Sequence, residues 1–197
     1  MTPALFRSAS LFQVCASVAF TGCSYKGPPN HYKARFDTSQ GAFVIEVKRE
    51  WAPIGADRFY ELVKSGFYDE ARFFRVAPGF VIQWGIARDP MLNSQWKDKA
   101  IPDDPVKEGN LAGYVSFASR GPNTRTTQVF VNLANNIQLD GMGFAAFGRI
   151  TEGLDIIPRI FAGYTQQPDQ AQIETQGNAY LNQSFPKLDY IKTARIE

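Results

Sequence analysis

The sequence predicts a mainly β fold, a closed barrel capped by helices. Three observations carry that expectation. Short apolar or alternating runs recur from Tyr32 to the C-terminus, Gly and Pro punctuate them, and only two stretches show a helical apolar period.

The elements follow in order. Tyr32 to Thr38 alternates and ends at Ser39-Gln40-Gly41, a turn signal; Ala42 to Val47 follows, so the pair reads as a hairpin. Pro53 can open a helix at its first turn, with Ala56, Phe59, Leu62 and Val63 on one face and Gly66 as the stop. Arg72 to Val76 and Phe80 to Trp84 are strands broken by Pro78-Gly79. Ile86 to Asn110 is long, polar and punctuated by proline, a surface excursion. Leu111 to Ala118, Val129 to Leu133 and Ala145 to Ile150 complete a central β set. Thr151 is a good N-cap for a second helix carrying Leu154, Ile157 and Ile160 inward. After Gly163 the chain is polar through Ser184, and a last strand runs from about Leu188 to Ile196.

Composition narrows the function. The chain's 197 residues suit one domain and a short leader, and 14% aromatic content with 16 Phe supplies a real core. The net charge of +2 gives no footprint for nucleic acid. With a single histidine, His31, and both cysteines before the fold, no metal cluster can be drawn, so cofactor-free chemistry is expected. Gly141 to Ala146 spells a GxGxxA dinucleotide pattern, but no buried strand leads into it and no helix opens after it. Asp98, Asp103 and Asp104 sit in a polar loop and read as solvated surface.

Two runs carry candidate chemistry: FFRVAPGFVIQWG, Phe73 to Gly85, and SFASRGPNTRTTQVFVN, Ser116 to Asn132. Each sets long-chain hydrogen-bonding residues (Arg75, Gln83, Gln128) among apolar neighbours. A guanidinium in an apolar run is costly to bury unless paired, and the arrangement points to an apolar pocket with a fixed donor at its rim. Together with LDGMGFAAFGRI, Leu139 to Ile150, these runs closely resemble the cyclophilin family of peptidyl-prolyl cis-trans isomerases. The resemblance covers roughly Tyr32 to Ile160 and the last strand.

The resemblance implies an eight-stranded antiparallel barrel with a helix over each open end, spanning 32–197 with insertions near 86–110 and 163–186. It implies Arg75 as the catalytic donor and Gln83 as a catalytic residue that hydrogen-bonds either Arg75 or a substrate carbonyl. Phe80, Val81, Phe130 and Leu139 would line a proline slot, with Phe130 as its floor. The backbone of Ala118 and Ser119 would pair with an extended peptide, Gln128 would stand beside it, and Phe144 would fill a pocket corner. Rotation about an X–Pro bond meets a barrier of about 18–20 kcal/mol. Acceleration to milliseconds removes roughly 6–7 kcal/mol, and a donor aimed at the proline nitrogen of the twisted amide supplies it without nucleophile or cofactor.

The chain departs from the family pattern at three places. Ser119 replaces an asparagine. Gln138 replaces a tryptophan important for cyclosporin affinity, so weak binding of that drug is expected. Gly143-Phe144, with one added residue, replaces a pocket histidine. The alternative function is a non-catalytic module that holds proline-containing segments as a chaperone or envelope scaffold. A monomer is expected in either case.

The N-terminus, MTPALFRSASLFQVCASVAFTGCS, has one charge, an apolar stretch and small residues, the layout of an export leader. Phe20-Thr21-Gly22-Cys23 looks like a bacterial lipobox, which would make 1–23 a leader, Cys23 a lipidation site, 24–31 a tether and the lipid the sole membrane attachment. A plain cleaved signal, an uncleaved anchor or a misread start are the other readings. The expected address is the periplasm or outer membrane, and the expected role is folding of exported proteins.

Overall fold

The computed structural model describes residue 1 and residues 27–197. Residues 2–26, which include the rest of the leader, Cys15, Cys23 and the start of the tether, lie outside the described residues. Eight antiparallel strands form one sheet: β1 (His31–Thr38), β2 (Gly41–Lys48), β3 (Arg75–Ala77), β4 (Val81–Trp84), β5 (Tyr114–Phe117), β6 (Val129–Asn132), β7 (Ala146–Glu152) and β8 (Ile191–Ile196), in the order β3-β4-β6-β5-β7-β2-β1-β8. The helices are α1 (Pro53–Lys64), α2 (Pro90–Trp96), α3 (Gln138–Gly141), α4 (Gln170–Gln176) and α5 (Asn178–Ser184), with a 3₁₀ segment at Leu154–Arg159.

The sheet is curled, and its edges are not joined by a ladder. The segments just before β3 and β8 meet through one antiparallel bridge, Arg72 to Tyr190, where Phe73 N–H donates to Asp189 C=O at 3.0 Å and Ile191 N–H to Ala71 C=O at 2.9 Å. The seam stops there for a local reason: farther along β3, Val76 N–H is already taken by Thr165 C=O at 2.8 Å. Closure is therefore looser than the sequence led one to expect.

Alternation along the strands sorts side chains between two clusters. Phe36, Phe43, Phe73, Trp84 and Phe147 turn inward to the main core, where the Trp84 ring meets Phe36 and Phe73 edge-on at 5.9 and 5.7 Å. Such pairs contribute about 0.5–1.5 kcal/mol beyond their area. α1 packs across this core against β2, β7 and β8, burying Ala56, Phe59, Leu62 and Val63.

The second cap differs from expectation. Thr151 does not start a helix; Thr151 and Glu152 continue β7, and Gly153, at φ 73°, makes the turn into the 3₁₀ segment. A residue with a Cβ is strained at that angle. Ile157 and Ile160 are buried as anticipated, but Leu154 stays 55% exposed, because the tighter 3₁₀ winding places it on the outer side. The run Gly141 to Ala146 leads from α3 into strand β7 and opens no helix.

Neither long polar segment is a bare loop. α4 and α5 follow one another at Gly177, and α4 packs on α2. Ile173 and Leu181 form a second core with Phe74, Ile86 and Leu188. Asp104, read as surface from its polar neighbours, is buried, with 4% exposure. Its carboxylate accepts from Ile54 N–H at 2.9 Å and Gly55 N–H at 2.8 Å, and pairs with Arg125 at 3.0 Å. α1 begins after Ala52, which has no side chain to cap it, so a carboxylate from 50 residues away serves the orphan N–H groups instead.

Candidate active site

One cleft, of about 560 Å³, collects the residues the sequence singled out: Arg75, Phe80, Val81, Gln83, Ala118, Ser119, Gln128, Phe130, Leu139 and Phe144 all line it. Register explains why. Arg75 of β3 sits opposite Gln83 of β4, and Gln83 sits opposite Phe130 of β6. Directly opposed residues project to the same face, so these three side chains stand in a row. The turn that brings β3 and β4 together closes with Phe80 N–H to Ala77 C=O at 2.9 Å, Pro78 entering it and Gly79 at φ 73° completing it. Ile82 and Trp84, on the opposite face of β4, serve the main core.

The apolar part of the cleft is a separate cluster of buried Val81, Phe130 and Leu139, with Phe80, Ala118 and Phe144 half-buried around it. Phe144 meets the Phe130 ring edge-on at 5.7 Å and leaves the cleft open. Its backbone is fixed by Asn110, whose amide donates to Phe144 C=O at 2.8 Å and to Asp140 at 2.7 Å. Gln138, by contrast, points out from α3 and is not among the lining residues.

Arg75 donates from Nη1 to Gln83 Oε1 at 3.0 Å, and Gln83 Nε2 donates to Gln128 Oε1 at 2.7 Å. The guanidinium carbon lies 5.8 Å from the Phe80 ring centre, within cation–π range. Among the described residues no carboxylate lies within ion-pair distance of Arg75. The chain of amides thus orients the guanidinium while leaving most of its donors uncommitted, and a fixed cation faces an apolar slot.

Ala118 and Ser119 differ in what they offer a peptide. Ala118 N–H is spent on Gln128 C=O at 2.9 Å, which limits the expected backbone pairing at that residue. Ser119, just past the end of β5, has no hydrogen bond from its backbone among the described residues.

Of the far half of the cleft, sequence reasoning named only the Gly121-Pro122-Asn123-Thr124 turn, expected to shape the wall, and Thr124 does line it; the rest was missed. Lys97 and Ala100 come from the excursion after α2, Arg120, Thr124 and Thr126 from the 118–127 loop, and Gln170 and Glu174 from α4. Arg58 donates to Lys99 C=O at 2.6 Å and Thr126 C=O at 3.1 Å, and the Asp104–Arg125 pair braces the same two segments from below. A further sequence signal was indirect: a helix opening at Pro53 without a capping side chain leaves N–H groups open to an acceptor from elsewhere in the chain.

Comparison with known proteins agrees with this geometry. Residues 33–177 match the family described as cyclophilin type peptidyl-prolyl cis-trans isomerase/CLD. A peptidyl-prolyl cis-trans isomerase of Schizosaccharomyces pombe is 38% identical over 141 residues, covering 68% of this chain and 87% of that protein. The human peptidyl-prolyl cis-trans isomerase-like 1 is 32% identical over 152 residues, covering 73% and 86%. A crystal structure of a cyclophilin type isomerase from Cryptosporidium parvum superposes with TM-score 0.62 at 22% identity, over 85% of this chain and 98% of that one. The same parasite protein, crystallised in the presence of the dipeptide Ala-Pro, gives TM-score 0.63 at 21% identity over 84% and 98%.

Proposed function

This chain belongs to the cyclophilin-type peptidyl-prolyl cis-trans isomerases, and on that premise we propose that Arg75 is its catalytic donor and that its clients are exported proteins. One observation carries the catalytic assignment: the Arg75 guanidinium is held by Gln83, without a carboxylate partner among the described residues, at the rim of the slot formed by Phe80, Val81, Phe130 and Leu139. In a planar amide the proline nitrogen lone pair is delocalised into the carbonyl. At the twisted transition state it is localised and basic, so a donor in this position binds the twisted form more tightly than either planar one. The slot holds the pyrrolidine ring, the free backbone of Ser119 pairs with the extended peptide, and Gln83 and Gln128 keep the guanidinium from turning away. No proton is transferred and no covalent bond is made.

The test is an isomer-exchange assay on a short Xaa-Pro peptide. Wild type accelerates exchange, and Arg75→Ala lowers kcat/KM by at least tenfold with the fold intact, towards the roughly hundredfold loss typical of deleting one donor aimed at developing charge. Equal rates for the two proteins would remove Arg75 from its role.

The address rests on the leader: the apolar stretch before Phe20-Thr21-Gly22-Cys23 supports export with a lipid on Cys23, placing the domain in the periplasm or at the outer membrane. The mass of the mature N-terminus tests this, since acylated Cys23 supports it and an intact Met1 terminus overturns it.

A further inference from the structure

The cleft continues past the apolar slot into a second half of opposite character. Lys97, at the C-terminal cap of α2, and Arg120, before the Gly121-Pro122 turn, both line it and both are exposed to solvent. The lining side chains carry, among the described residues, a single carboxylate, Glu174 of α4, and Arg120 already engages it at 3.3 Å. Among the described residues Lys97 has no carboxylate within ion-pair distance. Nearby Asp103 is committed to Arg125 at 3.2 Å and to Asn123 N–H at 2.7 Å. With Arg75 at the other end, the described residues of the cleft set three cations against one paired carboxylate.

We propose that this cationic half selects substrates bearing an acidic side chain, Asp or Glu, within about three residues of the proline, with Lys97 and Arg120 as the specificity-determining groups. The inference rests on the isomerase reading above. An extended peptide advances roughly 3.3 Å per residue, so a side chain two or three positions from a ring seated on Phe130 enters the far half. There the hydroxyl of Thr126, which has no hydrogen-bond partner among the described residues, adds a donor. Glu174 acts as a built-in competitor: it occupies Arg120 when the cleft is empty and repels an incoming carboxylate.

The experiment compares kcat/KM for short peptides carrying Glu, Ala or Lys on either side of an Ala-Pro unit, in low salt and in about 1 M salt. In one placement the Glu peptide is expected to exceed the Ala peptide by about three- to fivefold, and the Lys peptide to fall below it, the scale of partly exposed ion pairs. High salt should bring the ratios towards one. Glu174→Gln should raise the Glu/Ala ratio, and Lys97→Glu should invert the order of Glu and Lys peptides. Equal rates for all three peptides at low salt, or an unchanged order in Lys97→Glu, would overturn the proposal. Failure to accelerate any peptide would instead overturn the isomerase reading; calorimetric binding of the same peptides then decides the charge preference, a preference supporting it and equal affinities overturning it.

Discussion

The two halves of the cleft are built by different means. The proline half stands on laddered strands: Arg75, Gln83 and Phe130 are placed by register between β3, β4 and β6, and their neighbours on the opposite face anchor the main core. The far half hangs on segments without β ladders of their own, held by Asp104, Arg125 and Arg58 and covered by α4. A reacting group needs to be fixed to within fractions of an ångström, which a strand ladder provides. A surface that reads neighbouring residues tolerates looser support.

Asp104→Ala should break this contrast most severely. Asp104 and Arg125 form a buried pair, and Asp104 also caps α1, so its removal leaves the buried guanidinium only the partly exposed Asp103 carboxylate and the Pro102 carbonyl, and strands two helix N–H groups. Urea unfolding should show a loss of about 3–5 kcal/mol. A loss within about 0.5 kcal/mol would mean that the far half needs no such brace. Gln83→Leu probes the other half: the ladder and core are kept, and the hydrogen bond to Arg75 is lost. Stability should change little, while kcat/KM falls about tenfold, matching the roughly 1.5 kcal/mol of a hydrogen bond to a charged group. An unchanged rate would show that Phe80 and the strand alone hold the guanidinium.

That contrast also governs what could be read from the sequence. FFRVAPGFVIQWG contains its own geometry, since a Pro-Gly turn between two short strands puts Arg75 opposite Gln83 eight residues away. Phe130 joins them through the next strand, and the resemblance of the second run named it. The far half had no such local script. Asp104 looked like surface because its partners lie 21 residues ahead and about 50 behind it. Thr151 misled because a hydroxyl before an apolar triplet reads as a helix cap, yet the same letters extend β7 when Gly153 follows as the turn. Ile173 and Leu181 were too sparse in a polar stretch to announce two helices; only Phe74, Ile86 and Leu188, distant in sequence, give them a core to join.

The smallest expected effect concerns pH. No histidine lines the cleft, and His31 lies in β1, away from it. The rate should therefore show no imidazole step, varying by less than about twofold between about pH 6 and 8. A sigmoid centred near pH 6.5 would implicate a titrating group that the cleft's make-up does not supply.

Separating binding from rate in Arg75→Ala tests the central claim most directly. Peptide affinity by calorimetry and cis-trans exchange by NMR, measured on the same Ala-Pro peptide, divide planar-state from twisted-state stabilisation. The guanidinium is expected to matter only to the twisted amide, so affinity should stay within about threefold while exchange at saturation slows at least tenfold. A matching loss in affinity, with exchange in the bound state unaltered, would make Arg75 a peptide-binding residue and contradict the account.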